Sequence, residues 1–215
     1  MVKQRATCNA LLERHGRSFA TELGVDITKN TPMPLFRLLS FALLASTRIS
    51  ADIAMDAAQA LVKQGWTTAA RLAHTTWRQR TDTLNRAGYA RYDESTSTML
   101  GDTCTLLLGQ YNGDLRRLRA RAGNDPGTER KLIKKCKGIG DVGTDIFFRE
   151  VQAAWPELYP FADKLSLRAA RRLGLGDSAE DLAQQVDQVT YPRFVAALVR
   201  CDLAGDHEDI SSAAS

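Results

Sequence analysis

Apolar residues recur at helical spacing along the whole chain, with no β-rich alternation and no Asn-Gly turn set between alternating runs. "CNALLERHGRSFATEL" reads as a helix ending at Gly24. "MPLFRLLSFALLAST" is apolar on nearly every side, the mark of a helix buried in the middle of a domain, and Pro34 suits its first turn. "SADIAMDAAQALVKQG" starts at an N-cap serine, Ser50, and stops at Gly65. "TTWRQRTDTLNRAG" is amphipathic and ends at Gly88. "YDESTSTMLGDTCTLLLGQYNG" reads as a long helix interrupted by Gly101. "DLRRLRARAG" and "PGTERKLIKKC" are shorter, and "DVGTDIFFREVQAAW" follows them. After the Pro-bounded "WPELYP" come "FADKLSLRAARRLGL", "SAEDLAQQVDQ" and "YPRFVAALVRCDLAG"; the final "HEDISSAAS" reads as frayed. The fold class expected is all-α, about ten helices in two lobes. Residues 155–160 are the expected hinge. One lobe spans 30–153; the other joins 1–29 to 154–215.

Charge sharpens this picture. The 215 residues carry 29 Lys plus Arg against 25 Asp plus Glu, a net +4. The surplus is concentrated: Asp114 to Gly138 is a basic block, whereas "DLAGDHEDISS" is acidic. One positive face suits a polyanion. Cys8, Cys104, Cys136 and Cys201 form no C-x-x-C pair, which argues against a zinc site or iron–sulfur cluster built from local spacing. No apolar run approaches membrane-spanning length, and "LFRLLSFALLAS" contains Arg37. No export signal is visible at the start. The expectation is a cytoplasmic, monomeric protein with reduced thiols and no membrane partner.

The densest chemistry lies in "KLIKKCKGIGDVGTDIFFREV". A helix ends near Cys136, Gly138 and Gly140 flank Ile139, and a second helix begins near Asp141. Glycine permits backbone conformations closed to other residues. The first N–H groups of the second helix have no intrahelical acceptor, and the helix dipole makes that end positive. Such an end accepts a phosphate, and Lys134, Lys135 and Lys137 would attract one. An ordinary tight turn between helices would need a glycine as well. Ile139 would tuck back between the helices.

"KGIGDVGTDI" resembles the hairpin of the helix–hairpin–helix DNA glycosylases, the endonuclease III-like superfamily. In that family an essential Asp near a helix start follows the hairpin by about twenty residues. Here "YPFADKLSLRAARRLGL" is similar, and Asp163 aligns with that residue, 23 positions after Gly140. "PLFRLLSFALLASTRIS" resembles the family's buried helix and the loop that wedges into DNA. "LNRAGYARYDESTSTMLGDTCTLLLGQYNGDLRRL" resembles the helices after it. The likeness covers roughly residues 30 to 205.

The resemblance implies a DNA repair enzyme that flips a damaged or modified base out of double-stranded DNA and cleaves its N-glycosidic bond. Asp163 would stabilise the positive sugar or activate water, although an Asp there also suits a helix N-cap. Lys135, Lys137, Gly138, Ile139, Gly140, Val142 and Gly143 would hold the backbone. Thr47, Arg48 or Ile49 would fill the gap left by the base. Lys164 would contact phosphate, and Tyr89 would line the base pocket. Hairpin carbonyls from Lys137 to Val142 could hold a monovalent cation. No other cofactor is implied, and the family's four-cysteine iron–sulfur loop is absent. Val142 replaces the lysine of the bifunctional members, so the expected reaction stops at the abasic site. Lys164-Leu165 replaces the usual Thr-His. Three other readings stand beside this one: a DNA-binding module without turnover, a lyase using another lysine, Lys164 first, and a helical protein-interaction domain.

Overall fold

A computed structural model describes residues 2–213, with side chains from residue 4. It is all-α. Among the described residues there are fourteen α-helices, two 3-10 turns and no strand. The chain divides into two compact units, Val25–Phe147 on one side and Met1–Gly24 with Phe148–Ser215 on the other.

The first unit is built around α3 (Pro32–Ala45). Leu35, Phe36, Leu38, Leu39, Phe41, Leu43 and Leu44 of this helix are all buried, as its all-round apolarity requires. Around it pack α4 (Ala51–Lys63), capped by Ser50 Oγ on the Ile53 amide at 3.3 Å, and α7 (Asp93–Tyr111). Helices α5 (Ala69–Ala73) and α6 (Trp77–Arg86) lie against α7. α8 (Leu115–Arg121) and α9 (Pro126–Ile133) follow, and α10 (Asp141–Val151) begins in this unit.

Gly101 does not interrupt α7, which is continuous. The glycine makes room instead: a Cβ there would lie 2.8 Å from Arg80 Nη2. The Arg80 guanidinium is buried and donates to the carbonyls of Ser97 at 2.9 Å and Thr75 at 2.7 Å, fastening α6 to α7.

The second unit packs α1 (Val2–His15), α11 (Lys164–Arg172), α12 (Ala179–Ala183), α13 (Tyr191–Ala204) and α14 (His207–Ala213) around Leu11, Leu175, Tyr191, Phe194 and Leu198. The expected first helix is two helices. Its pattern breaks at Gly16, whose carbonyl accepts from Arg193, and Ser18 caps the short α2 (Phe19–Glu22). "HEDIS" is helical as well, because Ile210 is buried and anchors it. The unit division falls at Phe147/Phe148, inside α10, and not at the Pro-bounded 155–160. That segment is a 3-10 turn with Trp155 and Leu158 buried.

Candidate nucleic-acid interface and catalytic carboxylate

The hairpin is pinned from inside. The Ile139 amide donates to the Cys136 carbonyl at 3.0 Å, and both side chains are buried. Gly138 sits at φ +85°, and a Cβ there would approach Met99 Sδ to 2.5 Å. Only glycine fits that position. Gly140 is different. Its φ lies outside the left-handed region, and a Cβ there would meet nothing within 4 Å. It leaves space on the outer side.

Lys134 is paired within the protein. Its Nζ lies 2.8 Å from Asp141 Oδ1, and Arg130 bridges Asp141 at 3.6 Å and Asp145 at 2.5 Å. These pairs bind α9 to α10 and hold the Asp141 carboxyl below the usual range, the Lys134 hydrogen bond first. Lys135, Lys137 and Val142 stay exposed, Val142 at 58 %. An exposed valine at a helix start offers apolar contact without competing for a phosphate. The Lys137 carbonyl takes a 3.4 Å hydrogen bond from Thr103, and the Gly140 carbonyl accepts from the Thr144 amide at 3.0 Å and its hydroxyl at 2.8 Å.

Four of the residues expected to touch DNA or the base make interior contacts, Ile139 as its place in the turn predicts. The Ile139 side chain is core. Gly143 is buried, and a Cβ on it would collide with Ser46 Oγ and crowd Ile139 at 3.1 Å, so this glycine lets α10 approach the end of α3. Tyr89 is fully buried; its hydroxyl lies 2.8 Å from the Leu44 carbonyl and 2.8 Å from Thr47 Oγ1. Burial pushes the Tyr89 phenol upward. Thr47 is thereby fixed, and it also donates to Leu44 at 3.1 Å. Of the three candidates Thr47, Arg48 and Ile49, Arg48 is the exposed one. The hydroxyl-to-tyrosine lock on the α3 carbonyl is what sequence reasoning missed; nothing in residue spacing signals it.

Asp163 lies in the other unit. It is the N-cap of α11: Oδ1 accepts from the Ser166 amide and hydroxyl, both at 2.8 Å. Oδ2 accepts from Arg149 Nη1. The pair is buried, with side-chain exposures of 2 % for Arg149 and 5 % for Asp163. The Arg149 guanidinium also stacks 5.2 Å from the Phe19 ring centroid. Gln152 clamps the approach to Asp163, donating to the Arg149 and Phe161 carbonyls at 2.9 and 3.0 Å and accepting from the Phe161 amide at 3.0 Å. Glu150, next to Arg149, accepts from the Ala20 amide at 3.0 Å at the start of α2, and burial pushes its carboxyl upward. Lys164 is exposed beside this buried group. Arg149, two turns into α10, gave no signal in the sequence, because a buried arginine and a solvated one look the same in a helical pattern.

The four thiols are buried, with Cys8 and Cys201 pushed up to about 11 and Cys104 and Cys136 to about 12 by desolvation. The first two belong to one unit and the last two to the other. Among the described residues no cluster of His, Cys, Asp and Glu could hold a metal ion, and no helix is long and apolar enough to cross a membrane.

No protein-family model and no curated protein matches the chain. Among solved structures, a trapped endonuclease III–DNA covalent intermediate, an estranged-adenine complex, is similar at a TM-score of 0.49 and 15 % identity. The match covers 76 % of this chain and 71 % of that one.

Proposed function

We propose that this chain is a DNA repair glycosylase that grips duplex DNA by its phosphates at the Lys135–Val142 hairpin and removes a damaged or modified base. The observation that carries the reading is the pair of glycines. Gly138 is required by the turn's own geometry, whereas Gly140 leaves open space where a helix of eleven residues begins, with Lys135 and Lys137 exposed beside it. Arg48 is exposed in the α3–α4 loop and is the candidate to fill the gap left by a flipped base.

In this reading Asp163 supplies negative charge at the sugar as the glycosidic bond breaks. Val142 offers no amine, so the reaction ends at an abasic site and the strand stays intact. A monovalent cation on the hairpin carbonyls would add to phosphate binding. No iron–sulfur cluster takes part.

One observation favours a second reading. The hydrogen bonds that hold Asp163 come from the protein itself, and Arg149 neutralises its charge. A carboxylate held this way caps a helix and closes a buried pair without any catalytic task, and the chain would then bind DNA without turnover. Oligonucleotide duplexes carrying a panel of base lesions separate the two. Strand breaks appearing only after alkali, at one or more lesions, are expected for a monofunctional glycosylase. Duplex binding with no alkali-labile product at any lesion identifies the non-catalytic protein. Nicking without alkali, with a borohydride-trapped adduct, would move the chemistry to a lysine, Lys164 first.

A further inference from the structure

The unit that carries Asp163 has a charged ridge that neither the hairpin nor the N-cap explains. Helix α11 buries Ser166, Ala169 and Ala170 and packs on α13. On its other side Lys164, Arg168 and Arg172 stand at i, i+4 and i+8, so their Cα positions rise by about 6 Å from one to the next along one face. Arg168 and Arg172 are 53 % and 59 % exposed.

Both guanidiniums rest on a single carboxylate, Asp202, whose side chain is 2 % exposed. Arg168 reaches Asp202 through Nε, 3.3 Å from Oδ1 and 3.1 Å from Oδ2, and through Nη2. Arg172 Nη1 is 3.5 Å from Oδ1, and His207 Nε2 is 3.3 Å from the same oxygen. One arginine would satisfy one buried carboxylate. The second arginine and Lys164 leave the ridge with positive charge in excess of what Asp202 can offset. Asp202 holds the inner edge of the Arg168 fork by hydrogen bonds and pairs with Arg172 at 3.5 Å, and each guanidinium has five N–H donors, so others remain for an outside acceptor. Neighbouring Arg171 is paired elsewhere, with Asp177 at 3.0 Å.

We infer that the Lys164–Arg168–Arg172 face of α11 is a second phosphate-binding surface for the backbone of duplex DNA. The unit bearing Asp163 thus has a nucleic-acid contact surface made of its own side chains. The inference rests on the reading of this chain as a DNA-binding protein, and it specifies where a further share of the affinity lies. Oriented guanidiniums suit phosphate oxygens, and interactions of this kind add affinity without reading sequence.

The test is the salt dependence of binding to a short undamaged duplex, for wild type and for the double variant Lys164→Ala/Arg172→Ala. Arg168 is left in place because it anchors α11 to Asp202. Removing one phosphate-bound cation flattens the slope of log K against log salt by about 0.9, so the double variant should be shallower by about 1.8 and bind about tenfold more weakly at moderate salt. The charge-conserving Lys164→Arg/Arg172→Lys should keep the wild-type slope, which guards against loss of fold in the alanine variant. A double alanine variant that melts normally and keeps the wild-type slope overturns the inference. If Gly140→Ala still weakens binding in that case, the hairpin reading survives. A wild type that binds no duplex overturns both.

Discussion

The helix start at Asp141 and the helix start at Asp163 use the same backbone chemistry and turn it in opposite directions. At α10 a glycine turn leads in, the neighbouring Lys135 and Lys137 face water, and a Cβ on Gly140 would meet nothing. At α11 an aspartate side chain already occupies the N-terminal donors, and a buried arginine closes its far oxygen. One end is preceded by a glycine with no side chain to cap it; the other has folded an anion into the protein. Exposed amide groups at a helix start therefore do not make a site by themselves. What decides is whether the chain supplies its own capping group, and with what counter-charge.

The largest effects should come from the closed end. Arg149→Ala leaves the Asp163 carboxylate buried without its partner, and Asp163→Asn leaves the guanidinium in the same position. Each should cost about 3–5 kcal/mol in chemical denaturation, and the double variant Arg149→Met/Asp163→Asn should recover most of the loss. Single variants as stable as wild type would show that water reaches the pair. In a glycosylase, Asp163→Asn should also lower single-turnover base release by about two to three orders of magnitude, measured where the variant is still folded. The double variant is the sharper probe, because it restores stability without restoring the charge.

Next in size is Gly138→Ala. It forces a side chain into the left-handed region and against Met99 Sδ, for a loss of about 1–3 kcal/mol seen as a lower denaturation midpoint. An unchanged midpoint would mean that Met99 yields and the turn tolerates the strain.

Glu150, beside Arg149, should make stability depend on pH in a particular direction. Burial raises its carboxyl above the ordinary value, so the folded protein binds more protons than the unfolded chain above about pH 4.3. Its contribution to stability therefore falls as pH rises from there through the raised folded value. Arg149, Arg200 and the amides of Phe19 and Ala20 oppose the shift without reversing it. Glu150→Gln keeps an acceptor for the Ala20 amide and removes the titration. Its melting temperature should exceed that of wild type at neutral pH, with the difference shrinking toward about pH 4. A gap that widens on acidification would contradict the buried, raised carboxyl.

Much of the fold could be read from spacing. Ser50, Asp125 and Asp163 cap helices where the residue pattern places helix starts. The short helices α2, α5 and α14 were harder, since four to seven residues hold too little periodicity to separate them from loops. At the candidate site the exposed positions Lys135, Lys137, Arg48 and Lys164 follow from charge and sequence position. The interior was not legible: the Tyr89–Thr47 lock and the Arg149–Asp163 pair join residues 42 and 14 positions apart, through side-chain directions that no local pattern encodes. The two hairpin glycines look equivalent in sequence, and only packing distinguishes the one wedged against Met99 from the one facing open space.

That last difference gives the most direct test of the central claim that the hairpin is a phosphate-binding surface. Gly140→Ala adds one methyl group where the protein itself has nothing within reach, so its stability should stay within about 0.5 kcal/mol of wild type. Equilibrium titration with undamaged duplex at several salt concentrations should nevertheless show weaker binding, by about tenfold, alike for unrelated sequences, together with a flatter salt slope. A Gly140→Ala protein that melts like wild type and binds duplex with the wild-type affinity and salt slope would contradict the claim.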